Sequence, residues 1–91
     1  MDRTMLLDVV GKYGARVVSF SEYPEFFSSW RLEFQKNKRN YLFENDGRDG
    51  WMFLYMNVDA GRFEEMHRVE SHCLSWSEIL SQCEAWLSEL P

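Results

Sequence analysis

Residues 28–58, SSWRLEFQKNKRNYLFENDGRDGWMFLYMNV, decide the fold. Large apolar side chains alternate with polar ones, and two turn-forming clusters interrupt the alternation. That is the pattern of antiparallel strands with one face built for burial. Trp30, Leu32 and Phe34 share one face of the first strand, and Arg31, Glu33 and Gln35 share the other. KNKR (36–39) is a polar turn. In the next strand Tyr41 and Phe43 lie opposite Leu42 and Glu44. NDGRDG (45–50) is the strongest turn signal, because Asp-Gly steps readily supply the positive φ of a tight turn. In the following strand Trp51, Phe53 and Tyr55 occupy one face, and Met52, Leu54, Met56 and Val58 the other. Both faces are apolar, which predicts a strand that is central or covered on both sides.

Outward from this meander the pattern changes. Asp2 is placed to cap a first helix in which Met5, Leu6, Val9, Val10 and Tyr13 recur at helical spacing, with Gly14 as its stop. ARVVSF (15–20) is rich in β-branched residues and reads as a strand. SEYPEFFSS (21–29) breaks the pattern at Pro24 and reads as a loop that tucks Phe26 or Phe27 inward. DAGR (59–62) is a turn. FEEMHRVES (63–71) fits alternation badly and suggests a short helix through Phe63, Met66 and Val69. Ser75-Trp76-Ser77-Glu78 is a capping box, and Ile79, Leu80, Cys83, Trp86, Leu87 and Leu90 form an apolar stripe behind it. The expected architecture over residues 1–91 is one α+β domain in two layers. An N-terminal helix, about four antiparallel strands and a C-terminal amphipathic helix compose it, with that last helix lying across the apolar face of the sheet.

Composition narrows the function classes. The chain has 91 residues, 45% hydrophobic and 16% aromatic, so it is globular and carries a modest core. Its net charge of −5 argues against nucleic acid, whose phosphates demand a cationic footprint. Residues 1–40 carry seven basic and five acidic side chains, whereas residues 41–91 carry three and ten. A basic protein partner suits that second half. The first residues lack the apolar core and cleavage site of a signal peptide, and no apolar run is long enough to span a membrane. Two cysteines, Cys73 and Cys83, make no disulfide framework. Cytoplasmic residence is the expectation.

No constellation points to catalysis or to a cofactor. His67, His72 and Cys73, with Glu64 before them, are the one metal-like cluster, but the histidines are five apart and no second pair exists. The EEMH motif occurs once, and a di-iron site needs it twice. Cys73 has only its neighbour His72 as a base, and adjacent side chains diverge. Cys83 lies on the helical stripe and reads as a buried small hydrophobe. NDGRDG lacks the closing glutamate of a calcium loop. The paired carboxylates fall in turns or on polar faces, where no cleft would perturb them.

What stands out is acidic and aromatic surface. Asp46, Asp49, Glu64, Glu65 and Glu70 crowd onto turns and polar faces, while Tyr23, Phe26, Phe27 and Trp30 are more aromatic area than one loop easily hides. Half the weight for those aromatics goes to core packing and half to a recognition patch, where aromatic anchors are enriched. The candidate partner-binding residues are therefore Asp46, Asp49, Glu64, Glu65, Glu70, Tyr23, Phe26 and Trp30. In size, acidity and α+β layout the whole chain resembles the small immunity proteins that bacteria pair with secreted toxins. That resemblance implies a stoichiometric inhibitor, not an enzyme, that occupies a basic toxin. A phage-encoded inhibitor of host defence, a secretion chaperone or adaptor, and a small enzyme or ligand-binding domain are the alternatives.

Overall fold

A computed structural model describes residues 3–26 and 28–91, with Phe26 described by its backbone alone. Helix α1 (Arg3–Lys12) leads into β1 (Arg16–Tyr23), a single 3-10 turn (Pro24–Phe26), β2 (Ser29–Lys36), β3 (Arg39–Asp46), β4 (Trp51–Asp59), β5 (Arg62–Glu70) and α2 (Trp76–Glu89). The strands form one antiparallel sheet in the order β1-β2-β3-β4-β5. The predicted α+β class therefore holds, with five strands where about four were expected. The Asp2 cap expected for α1 lies outside the described residues.

The meander follows its turn chemistry. Between β2 and β3, Asn37 and Lys38 both have positive φ (51° and 67°), the two-residue arrangement that matches strand twist. Between β3 and β4, Asp46 Oδ1 accepts hydrogen bonds from the N–H groups of Arg48 (3.1 Å) and Asp49 (3.2 Å), and Gly50 closes the turn at φ 76°. Register then puts Trp30, Leu32 and Phe34 beside Asn45, Phe43 and Tyr41, and those beside Met52, Leu54 and Met56.

Both helices cover this one face. Leu6 and Val10 from α1, and Leu80, Cys83, Trp86 and Leu87 from α2, join the strand residues in a single core. Met5, one of the apolar residues that recur at helical spacing, is exposed on α1. Trp86 is only 5% exposed and stacks on Phe43 at 6.2 Å and on His67 at 5.8 Å, so it ties α2 to β3 and β5 together. Helix α2 begins as its sequence predicts. Ser75 Oγ accepts from Glu78 N–H (3.2 Å), and Glu78 Oε1 accepts from Ser75 N–H (3.0 Å).

Two segments differ from expectation. The stretch 63–71 is not a helix; Arg62–Glu70 is the fifth strand. The pairing with β4 is irregular at two places: Met66 is an extra residue in β5 between His67 and Glu65, and Val58 an extra residue in β4 between Asn57 and Asp59, so the alternation of β5 is broken at Met66. Most of β5 is solvent-exposed, and its apolar residues are few: Phe63 and Val69 are half-buried and Met66 is exposed. The expected loop at 21–29 also holds regular structure at its described ends, with Pro24–Phe26 in the 3-10 turn. β1 continues through Tyr23, and Ser28 (φ 61°) then turns the chain into β2 at Ser29.

Candidate docking face

Alternation sends every second side chain of the sheet away from the helices. No described element packs against that outer face. Its rows can be read across the register. Tyr23, Ser29, Asp46, Trp51 and Glu70 form the first, and Ser21, Arg31, Glu44, Phe53 and Arg68 the second. Ser19, Glu33, Leu42, Tyr55 and Glu65 form the third. An aromatic stripe along β4 is therefore set between polar strands.

The stripe is half-buried by its own neighbours. Phe53 and Tyr55 stack at 5.5 Å, Leu42 beside Tyr55 is only 5% exposed, and Arg68 lies over the Trp51 ring with Cζ 5.3 Å from its centroid. Five carboxylates (Glu33, Glu44, Asp46, Glu65 and Glu70) share the face with the guanidinium groups of Arg16, Arg31 and Arg68 on the strands, and Arg48 of the β3–β4 turn lines a hollow beside Tyr23 and Asp46. Arg31 pairs with Glu44 at 3.0 Å and Arg68 with Glu65 at 3.6 Å, while Arg16 donates to Gln35. Glu33 and Glu70 form no ion pair among the described residues. The resulting negative field is felt at its centre. The Tyr55 phenol is held above its ordinary value, first by burial and then by the Glu44 and Glu65 carboxylates.

The predicted partner residues divide across the molecule. Asp46, Glu65, Glu70 and Tyr23 meet on the outer face. Asp49 sits at the tip of the β3–β4 turn, and Glu64 pairs with Met56 in the opposite pleat. Trp30 is a correction: at 2% exposure it stacks on Phe20 and meets Trp76 edge-on in the core, so it offers no surface to a partner. The Phe26 side chain, like all of Phe27, lies outside the described residues.

Trp51, Phe53 and Tyr55 were the residues missed. The double-sided apolar pattern predicts a strand that is central or covered on both sides, and β4 is central, flanked by β3 and β5, with its outer aromatics uncovered by any described element. Which face stays open is decided by register: Trp51, Phe53 and Tyr55 share a side with Arg31, Glu33 and Gln35 of β2, two strands away, and the sequence of β4 alone does not show it.

A recess lies at the end of the sheet, about 340 Å³ in volume, lined by residues including Asn45, Gly50, Ser71, His72 and Trp76. It holds a buried polar pair rather than an activated nucleophile, because Ser71 Oγ donates its hydrogen to Asn45 Oδ1 at 2.8 Å. His67 and His72 are far apart in role: the first stacks on Trp86, and the second packs beside Gly50. No three metal-binding side chains converge among the described residues. Cys83 is fully buried, and burial pushes its thiol up to about 12, whereas Cys73 is exposed. No described helix is long and apolar enough to cross a membrane. No protein-family model, curated protein or solved structure matches this chain.

Proposed function

We propose that this protein is a stoichiometric protein-binding inhibitor that docks on a basic partner through the outer face of its sheet, acting as an immunity protein against a bacterial toxin. One observation carries the reading: an aromatic stripe on a rigid strand lies open on one side, within an excess of carboxylates. Aromatic groups with a polar surround form the usual centre and rim of an interface. Strands of eight or nine residues in a five-stranded sheet give a face of roughly 600 Å² at ordinary strand spacing. That approaches the area of about 800 Å² that one partner contributes to a standard interface. A rigid sheet needs no ordering on binding, so little entropy is lost there.

The reading is tested by copurification from the native host, followed by binding kinetics with the captured partner. Glu33→Lys and Glu70→Lys should slow association; stability should be nearly unchanged for Glu70, an exposed charge, and change modestly for the half-buried Glu33. Association should also slow as ionic strength rises. An association rate indifferent to salt and to both substitutions would remove the acidic face from the mechanism.

A further inference from the structure

We infer that Trp51, bracketed by Asp46 and Glu70, is a seat for an arginine side chain of the partner, and that Arg68 occupies it in the free protein. The inference rests on the docking face proposed above and names the chemistry that face selects. Asp46 and Glu70 lie directly across from Trp51 on the two neighbouring strands. Side chains so opposed have Cβ atoms about 5 Å apart, so an acidic residue stands on each side of Trp51. The ring already carries a guanidinium, that of Arg68. Yet Arg68 directs its ion pair to Glu65 at 3.6 Å, and its side chain is 58% exposed. Among the described residues Glu70 has no ion pair, and only one Asp46 oxygen is engaged, by the turn N–H groups. The seat thus holds its π surface against a cation while its two nearest anions lack one.

Arginine fits these requirements better than lysine. A planar guanidinium stacks on an indole and donates sideways to a carboxylate at the same time, whereas an ammonium is a compact, strongly hydrated point charge. The other charges facing the neighbourhood are Arg31, paired with Glu44, and Arg48, which lines the adjoining hollow with Tyr23 and Asp46. Arg68 is the cation on the ring itself, so a partner arginine must displace it, and its removal opens the seat.

The test uses the intact protein with hexa-arginine and hexa-lysine peptides, titrated at low salt by calorimetry while the Trp51 indole resonance is followed. Hexa-arginine should bind about threefold more tightly than hexa-lysine: its stack on Trp51 replaces that of Arg68, and the gain is the added pairing of the stacked guanidinium with Asp46 or Glu70, about the increment of one exposed ion pair. Asp46→Asn with Glu70→Gln should erase that preference, and Asp46→Asn keeps the oxygen that holds the turn. Arg68→Ala should tighten hexa-arginine binding more than Arg62→Ala does. The latter removes the same charge from the β4–β5 turn, where Arg62 pairs with Asp59. Equal binding of the two peptides, or Arg68→Ala no better than Arg62→Ala, overturns the seat. If the seat fails while Glu33→Lys still slows association with the copurified partner, the docking face survives without it; if both fail, both readings fall.

Discussion

Replacing Trp86 by alanine should cost far more stability than replacing Trp51, although both are tryptophans in contact with the same sheet. Trp86 is 5% exposed and has an aromatic neighbour on each side, Phe43 and His67. Truncation forfeits the transfer energy of the indole and leaves a cavity between α2, β3 and β5 that the rigid sheet cannot close. Losses of this kind run to about 3–5 kcal/mol. A domain of this length has a total stability of about 5–14 kcal/mol, so the variant stands near the edge of folding. Trp51 is half-buried, and its truncation removes only cross-strand contacts and the Arg68 stack, worth about 1 kcal/mol. Urea denaturation at equilibrium separates the two. With a slope of about 2 kcal/mol per molar, Trp86→Ala should lower the midpoint by about 2 M and Trp51→Ala by about 0.5 M. Trp86→Phe, which keeps a ring against Phe43, provides an intermediate case if the alanine variant does not fold. A loss below about 1 kcal/mol for Trp86→Ala, or equal losses at the two sites, would refute the assignment of the two sheet faces.

Other consequences concern turns, thiols and pH. Gly50→Ala should destabilise more than Gly61→Ala in thermal melts. Both glycines have positive φ, which costs an ordinary residue about 1–2 kcal/mol, but only at position 50 would the new Cβ meet another atom, His72 Cβ at 2.8 Å. In the native protein at neutral pH a thiol reagent should modify exposed Cys73 at once and buried Cys83 only as the protein opens; rapid double modification would contradict the packing of α2. Glu78 is held below its ordinary value by the hydrogen bond from Ser75 N–H, so its contribution to stability is present at neutral pH and is lost as pH falls through that lowered value. Glu78→Gln should flatten the acid limb of a stability–pH profile, and an unchanged limb would show that the capping box carries no such linkage.

Legibility in the sequence varied with how much the local chemistry dictated. The capping box at Ser75 and Glu78, the alternation of Trp30, Leu32 and Phe34, and the burial of Leu80, Trp86 and Leu87 were readable because each rests on residues adjacent in sequence or in one helical stripe. β5 was hidden for a physical reason: it is an exposed edge strand with irregular pairing, and polar edges with bulges are what keep a sheet from adding strands. The fate of Trp30 and Trp51 was hidden differently. Each lies on a strand whose pattern permits burial, and only the register across three strands shows that one faces the helices and the other faces away. Asp46, Glu65 and Glu70 could be named from charge crowding, but that Trp51 stands between two of them is a property of pairing alone.

The most direct test of the docking face is to follow the four tryptophan indole N–H resonances as the copurified partner is added. Trp30 and Trp86 are sealed under the helices, Trp76 lies at the start of α2, and Trp51 alone stands on the outer face of the sheet. The Trp51 resonance should shift or broaden strongly on binding while those of Trp30 and Trp86 stay in place. A complex that perturbs the Trp76 signal and leaves Trp51 unmoved would contradict the account, because the partner would then be bound at the helical side of the molecule.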